Sequence, residues 1–388
     1  MTNTELDDRD WMRRAMDLAR GGRGRVEPNP MVGCVIVKNN RMIGQGRHEH
    51  FGGPHAEPTA LANCTESPAG ATAYATLEPC VHTNKKTPPC VPTLIEAGIA
   101  RVVVGCVDPN PDVAGKGIDA LRNAGITVDT GVLEAHCRQL NAAFFATTLH
   151  HRPYVTLKWA QTADGAVAGP HGRPIRITKD IAQRAMHGLR GRCDAILIGG
   201  ETARHDNPML TPRYVPPLRM PIRAVLSGKV RLEPESRLAR STDIGPVVVY
   251  CTQAEVDRND QSRATILARQ HVELHALPTN ETGQISLGAV LDDLHRRRVT
   301  HLMVEAGPAL AAHFFAAGLV DRVWVFRSAR RIDDLTAPRA VDVPYPETAR
   351  TMLGDDELVE YLNPASPVFF SNDRSSDFRL LVDPPAAT

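Results

Sequence analysis

Residues 55–57 read His-Ala-Glu, and residues 73–80 read Ala-Tyr-Ala-Thr-Leu-Glu-Pro-Cys. The first segment predicts a helix that opens near His55 and runs to about Cys64, with Pro58 tolerated because it falls in the first turn. The second segment predicts a strand over 73–77 that delivers Cys80 to the mouth of the next helix. A second cysteine, Cys90, opens that helix after Pro88-Pro89.

Helices and strands alternate on both sides of these segments. A helix begins after Asp10 as its expected N-cap and stops at Gly21-Gly22, and two strands follow, joined by a hairpin turn at Asn39-Asn40. Further along, the pattern predicts strands over 101–106 and 126–128 and helices over 91–97, 117–124 and 133–151. This alternation indicates an α/β layer structure with a partly parallel sheet.

His55, Cys80 and Cys90 form a candidate metal site. One histidine and two cysteinates leave the fourth position of Zn²⁺ open for water, as a catalytic zinc requires. Glu57 is the expected general acid–base group, and H-x-E followed by P-C is typical of zinc-dependent deaminases. The alternative is structural, since a lone His or buried Cys usually has no chemical role, but four elements in this order favour the metal site. His82 is an alternative ligand.

Composition sets broad limits on the function. The chain has 388 residues, 42% of them hydrophobic, with 45 basic and 44 acidic residues. This length predicts two domains, and the balanced charge argues against a large nucleic-acid-binding surface. The N-terminus has no export-signal pattern and there is no apolar run of membrane-spanning length, so we expect a cytoplasmic enzyme in which closely placed cysteines bind metal.

We place a domain boundary at residue 150, giving domains 1–150 and 151–388. The second half restarts the alternation of strands and helices, and its periodicity fades after Ile332. It lacks a G-x-G-x-x-G motif after a strand, so a Rossmann dinucleotide-binding fingerprint is absent.

The N-terminal half resembles the bifunctional riboflavin-biosynthesis deaminase–reductases of the RibD family. Nine residues separate Cys80 from Cys90, in a P-C-x-H run closed by T-P-P-C as in that family. Other shared motifs are Pro28-Asn29-Pro30-Met31-Val32-Gly33, Gly46-Arg47-His48, Asp108-Pro109-Asn110-Pro111 and Gly115-Lys116-Gly117. The resemblance implies a cytidine-deaminase-like α/β/α domain that removes the 2-amino group of 2,5-diamino-6-ribosylamino-4(3H)-pyrimidinone 5′-phosphate.

Three residues suit that substrate. Asn29 can read a ring edge through its amide, and His48 or Lys85 can meet a phosphate. The structural alternatives are that Asn29 only shapes the turn between two prolines and that Lys85 is solvated. Lys85-Lys86 also replaces the Gly-Arg that is usual in the family's loop.

The C-terminal half resembles the family's dihydrofolate-reductase-like domain. The motifs are Arg152–Lys158, Thr162–Gly165, Asp194–Gly200 and Val304–Gly307. The resemblance implies substrate contacts from Arg190, Leu210, Arg213 and Glu305, and NADPH contacts from Thr202, Asp206 and Gly307. It also implies reduction of the ribosyl group to a ribityl chain and a homo-oligomer. Two departures are Pro174 and Arg176, where the family has Ser and Trp.

Three other functions remain as alternatives. One is a deaminase whose C-terminal domain no longer catalyses hydride transfer. Another is a deaminase that acts on a flipped nucleic-acid base, which the neutral charge and the long cysteine spacing disfavour. The last is a non-enzymatic zinc module, which would need four protein ligands and would have no use for Glu57.

Overall fold

The computed structural model describes residues 6–81, 88–214, 219–257, 263–281, 283–366 and 368. The chain divides into two units, Met1–His150 and His151–Thr388. Among the helices of these described residues, none combines the length and the apolar character needed to cross a bilayer.

The first unit is built on a five-stranded sheet in the order β2-β1-β3-β4-β5. Strands β3, β4 and β5 run parallel, whereas β1 is antiparallel to both β2 and β3. The strands are β1 (Gly33–Lys38), β2 (Arg41–Arg47), β3 (Thr72–Leu77), β4 (Arg101–Cys106) and β5 (Thr127–Thr130), and the helices are α1 (Asp8–Arg20), α2 (Ala56–Ala62), α3 (Cys90–Glu96), α4 (Lys116–Asn123), α5 (Glu134–Leu140) and α6 (Ala142–His150). The predicted α/β fold with a partly parallel sheet is confirmed.

Helix α2 lies unusually close to the hairpin β1–β2. A Cβ atom on Gly46 would stand 2.3 Å from the backbone nitrogen of Ala60, so only glycine permits this packing. The hairpin turn itself has left-handed residues at Asn39 and Asn40, with φ of 50° and 53°, as its Asn-Asn sequence predicts. The close contact fixes the start of α2, which carries His55 and Glu57, against the sheet.

Two details of the helices differ from the sequence-based expectation. Asp7, not Asp10, is the N-cap of α1, and the two form a capping box in which each side chain accepts the other's backbone N–H. The helix predicted over 133–151 is instead two helices, α5 and α6, which meet at Asn141.

The break at Asn141 has a long-range cause. Its side-chain oxygen accepts the N–H of Met31 at 2.8 Å, and its amide nitrogen donates to the carbonyl of Met31 at 2.9 Å. Asn141 is buried, so these two bonds satisfy polar groups that water does not reach. They tie the end of the unit to the segment that carries Asn29.

The second unit has a nine-stranded sheet in the order β10-β9-β8-β7-β11-β6-β12-β14-β13. The strands are β6 (Tyr154–Gln161), β7 (Ala195–Gly199), β8 (Ile222–Leu226), β9 (Val247–Cys251), β10 (Glu273–Ala276), β11 (His301–Glu305), β12 (Arg322–Arg327), β13 (Glu347–Leu353) and β14 (Asp356–Leu362), and the helices are α7 (Asp180–Arg190), α8 (Gly200–Asp206), α9 (Gln253–Asp257), α10 (Arg263–Arg269), α11 (Leu287–Arg296) and α12 (Pro308–Ala316). The first seven of these strands pair in parallel.

The hairpin β13–β14 was not expected, because periodicity fades after Ile332. It pairs antiparallel with β12, and β14 supplies the buried residues Leu358 and Val359 to the core. The short helix α8 was also missed. The parallel strands β6, β7, β11 and β12 end on one edge, where open α/β sheets bind ligands.

Candidate active sites

In the first unit, His55, Cys80 and Cys90 converge. Nδ1 of His55 lies 3.3 Å from Sγ of Cys90 and 3.5 Å from Sγ of Cys80, and the two sulfur atoms are 3.7 Å apart. His55 is the N-cap of α2, and Cys90 is the first residue of α3. The carbonyl of Cys80 accepts the N–H groups of Cys90 and Val91, which holds the cysteines side by side.

These spacings fit a tetrahedral metal site. Zinc bonds of about 2.3 Å to sulfur and about 2.0 Å to nitrogen place ligand atoms about 3.5–3.8 Å apart in a tetrahedron. The observed distances of 3.3, 3.5 and 3.7 Å lie within about 0.2 Å of that range. His55, Cys80 and Cys90 are the one such cluster of His, Cys, Asp or Glu side chains found among the described residues. The set leaves a fourth position for a non-protein ligand.

Glu57 lies beside the ligands. Its Oε2 is 3.2 Å from Sγ of Cys90, and the side chain is buried. Burial raises the pKa of the Glu57 carboxyl, while the nearby His55 partly offsets this effect. A carboxyl with a raised pKa exchanges a proton more readily near neutral pH than an exposed glutamate.

The contact between the two cysteines shifts their pKa values in opposite directions. The hydrogen bond from the Cys90 thiol lowers the pKa of Cys80, and His55 adds to the effect. The same bond raises the pKa of Cys90, and burial raises it further. A divalent metal binds both sulfur atoms as thiolates, so metal binding would displace the proton from the Cys90 thiol.

Asn29 and His48 form a second contact pair near the ligands. Nδ1 of His48 donates to the carbonyl of Pro54 at 2.9 Å, so its Nε2 is left to accept the Asn29 amide at 3.2 Å. His48 is 2% exposed, and its ring lies 5.4 Å from that of His55. His82, Lys85 and Lys86 lie outside the described residues.

Sequence reasoning missed Glu78, which directly precedes Pro79-Cys80. Its buried carboxylate accepts four backbone N–H groups, those of Asp108, Gly115, Gly117 and Ile118, at 2.8–3.3 Å. A Cβ on Gly117 would stand 2.0 Å from the carbonyl of Pro79, so this loop must contain glycine there. Glu78 thereby holds the loop 108–118 against the segment that carries Cys80.

In the second unit, Arg190 and Glu305 form a buried ion pair. Nε and Nη2 of Arg190 donate to the two carboxylate oxygens at 2.5 and 2.8 Å. Lys158, which the sequence did not single out, lies 3.7 Å from the same carboxylate. Burial raises the pKa of Glu305, but attraction to Arg190 and Lys158 outweighs it and lowers the pKa to about 2. Burial also lowers the pKa of Lys158.

A pocket of about 200 Å³ opens beside this pair. It brings together four of the residues singled out from the sequence, Arg190, Asp206, Leu210 and Arg213. Arg237, which was missed, also lines it, and its backbone N–H donates to the Asn207 side chain at 2.8 Å. The pocket lining thus contains three arginines and one acidic residue, Asp206.

Thr202 and Gly307 lie outside this pocket lining, at the start of neighbouring helices. Thr202 is in α8, directly after β7, and Gly307 is the N-cap of α12, directly after β11. A Cβ atom on Gly307 would meet no atom within 4 Å, so space is open beside this residue. Since β7 and β11 are adjacent, both residues lie at the ligand-binding edge of the sheet.

Arg176 is engaged within the chain. Its guanidinium bonds the Asp180 carboxylate and donates to the carbonyl of Thr178 at 3.1 Å. Its own carbonyl accepts a bond from Arg330 at 3.2 Å. Pro174 is exposed.

Comparisons with known proteins agree with this two-site arrangement. Residues 6–106 match the cytidine and deoxycytidylate deaminase zinc-binding region, and residues 153–332 match the RibD C-terminal domain. The riboflavin biosynthesis protein RibD of Aquifex aeolicus is 40% identical over 319 residues, covering 82% of this chain and 86% of that protein. This chain belongs to the RibD family.

Other RibD proteins are similar to this chain over most of its length. The protein from Escherichia coli is 37% identical over 83% of this chain and 87% of its own length. A crystal structure of a diaminohydroxyphosphoribosylaminopyrimidine deaminase/5-amino-6-(5-phosphoribosylamino)uracil reductase from Thermotoga maritima has a TM-score of 0.78 at 34% identity, covering 92% of this chain and 98% of that one. Acinetobacter baumannii RibD gives a TM-score of 0.75 at 31% identity over 92% and 98% of the two chains.

Membership in the RibD family confirms the main functional prediction. The chain is a bifunctional enzyme of riboflavin biosynthesis with a deaminase domain and a reductase domain. This result favours the bifunctional interpretation over a deaminase with a degenerate C-terminal domain.

The role of Glu78 can be tested with Glu78→Gln. The amide would present hydrogens to N–H donors, so we expect a loss of about 2–3 kcal/mol in the free energy of unfolding and faster proteolysis within residues 108–118. Reductase activity should not change. Glu96→Gln, at an exposed position on α3, is the matched control and should leave stability within error. Equal stability of both variants would contradict the role of Glu78.

Proposed function

We propose that residues 1–150 convert 2,5-diamino-6-ribosylamino-4(3H)-pyrimidinone 5′-phosphate to its deaminated product, and that residues 151–388 reduce the ribosyl group of that product with NADPH. The observation that carries the proposal is the convergence of His55, Cys80 and Cys90, with the carboxylate of Glu57 at 3.2 Å from Sγ of Cys90. The reductase assignment rests on the arginine-lined pocket at the sheet edge.

His55, Cys80 and Cys90 would hold the zinc ion. When bound, zinc would lower the pKa of a water molecule in the open position towards ~7 and so supply hydroxide near neutral pH. The preformed ligand set, in which both cysteines are buried, supports this assignment, because the three atoms already have near-tetrahedral spacing before any metal is added.

Glu57 moves the protons of the deamination. Its carboxylate takes one proton from the attacking water and gives it to the ring nitrogen next to the carbon under attack. It then takes the second proton from the new hydroxyl group and gives it to the amino group, which leaves as ammonia. The carbon–nitrogen bond breaks as the carbonyl forms, so Glu57 returns to its starting state. Its raised pKa suits both roles.

Asn29 is positioned to recognise the pyrimidine ring. His48 accepts one hydrogen of the Asn29 amide, which leaves the side-chain oxygen and the other hydrogen for a ring edge. His48 is buried and its two ring nitrogens contact Pro54 and Asn29, so we assign it to orienting Asn29. Lys85 stays as the candidate for the phosphate.

In the reductase domain, Arg190, Leu210, Arg213 and Glu305 are the proposed substrate residues. Thr202, Asp206 and Gly307 are the proposed cofactor residues, and the open space beside Gly307 suits close approach of a phosphate to the backbone of α12. When bound, NADPH supplies the hydride that reduces C1′ of the ribosyl group. Glu305 and Arg190 fix each other in place, which keeps this wall of the pocket rigid.

Zinc binding can be tested with Cys80→Ser. Loss of one thiolate should reduce the zinc content of the purified protein well below one ion per chain, as measured by elemental analysis. Cys106→Ser is the matched control, because Cys106 is also buried in the first unit but bonds the carbonyl of Thr76. Full zinc occupancy in Cys80→Ser would contradict the ligand set.

The acid–base role predicts a different result for Glu57→Gln. This variant should keep its zinc but release ammonia about 10²–10⁴-fold more slowly, since the amide cannot move protons. NADPH oxidation with the deaminated intermediate should be unchanged and serves as the internal control. Substantial residual deamination would argue against this role.

The cofactor site predicts the behaviour of Gly307→Ala. With φ of −74° and no neighbour within 4 Å, an added methyl group should not reduce the melting temperature. It should raise KM for NADPH several-fold by filling the space that the cofactor needs. The assay follows NADPH absorbance with purified deaminated intermediate. An unchanged KM would place the cofactor elsewhere, and no oxidation by the unmodified protein would overturn the reductase assignment.

A further inference from the structure

We propose that His187 is a positioning residue that aims Arg213 into the reductase pocket, where Arg213 binds the substrate phosphate. This inference rests on the proposed reductase function and adds a residue to it. His187 lies in α7, one turn before Arg190, and it does not line the pocket itself.

The contact between the two side chains is specific. Nε and Nη2 of Arg213 both donate to Nε2 of His187, at 3.1 and 2.9 Å. A guanidinium has five N–H hydrogens, so three of them stay available to a ligand. Tyr214 packs edge-on against the imidazole, with ring centroids 5.0 Å apart.

Arg213 and Arg190 differ in how the pocket holds them. Arg190 is held by Glu305 through two short bonds, so its charge is already compensated. Arg213 is exposed, and it forms no ion pair with any carboxylate in the described part of the chain. A neutral acceptor such as His187 orients this side chain without cancelling the charge that a phosphate needs.

The surroundings of His187 keep it in the accepting form. The imidazole is fully buried, and the charged groups facing it are Arg190, Arg213, Lys158 and Glu305. Burial, followed by the charges of Arg190 and Arg213, lowers the pKa of His187 to about 4. The ring is therefore neutral at physiological pH, and its Nε2 lone pair is free to accept.

The tautomer that accepts at Nε2 carries its proton on Nδ1. This buried Nδ1 has no hydrogen-bond partner among the described residues. A buried donor without a partner reduces stability, so a packing role alone would favour an apolar side chain here. The unpartnered nitrogen is thus a second observation that favours a role in holding Arg213.

The test compares His187→Gln with His187→Leu. Glutamine keeps an acceptor near the place of Nε2, whereas leucine removes it. With the deaminated pyrimidine phosphate as substrate, we expect His187→Leu to raise KM about tenfold or more while kcat changes little, since the lost bond is to a charged group. His187→Gln should restore KM to within about threefold of the unmodified value.

A double-mutant cycle separates positioning from a general effect on packing. In an Arg213→Ala background, His187→Leu should raise KM no further, because the residue through which it acts is gone. Inorganic phosphate should inhibit the unmodified reductase competitively and inhibit both His187→Leu and Arg213→Ala more weakly. His295→Leu, in the last turn of α11, is the matched histidine control and should change neither constant.

Three results would overturn the inference: an unchanged KM in His187→Leu, equal KM values in the glutamine and leucine variants, or additive effects in the cycle. Failure of the proposed function looks different, because the unmodified protein would then oxidise no NADPH. The circular dichroism spectrum and melting temperature of each variant report that its reductase domain is still folded.

Discussion

Three side chains separated by up to 35 residues must bring a nitrogen and two sulfur atoms within 4 Å of one another, and the first unit is organised around that requirement. The close packing of α2 at Gly46 fixes His55, while the bonds from α3 to the carbonyl of Cys80 fix the two cysteines together. Glu78 then secures the neighbouring loop. Each device acts on backbone, so the ligands are preorganised by the fold rather than by the metal.

In the second unit, several cationic side chains lie close together, and their mutual repulsion must be offset. Glu305 pairs with both Arg190 and Lys158, so neither buried cation lacks a carboxylate partner. Arg213 is left with its charge available, and a neutral imidazole holds it. Arg190, Lys158 and Glu305 therefore stabilise the pocket wall. The charge of Arg213 is available to bind a ligand.

Chemically distinctive residues could be identified from the sequence, and so could the α/β architecture. His55, Glu57, Cys80 and Cys90 stand out by type and spacing, and Arg213 by its motif. The sequence did not single out Glu78, Lys158 or His187, because their roles depend on partners that are 26 to 147 residues away in the chain. The hairpin β13–β14 was missed for a related reason, since only one of the seven residues of β13 is buried, which weakens the apolar pattern.

The bond between Asn141 and Met31 has a consequence for fragments of this enzyme. The zinc-binding region that matches other deaminases ends at residue 106, and it contains all three candidate ligands. Met31, two residues after Asn29, is however anchored by the side chain of Asn141, 110 residues downstream. A fragment that ends at residue 106 would contain the metal ligands but would lack Asn141, which anchors the segment next to Asn29. We expect it to bind zinc without holding the substrate-recognition segment in place. A deaminase fragment that keeps this anchor must therefore extend at least to Asn141.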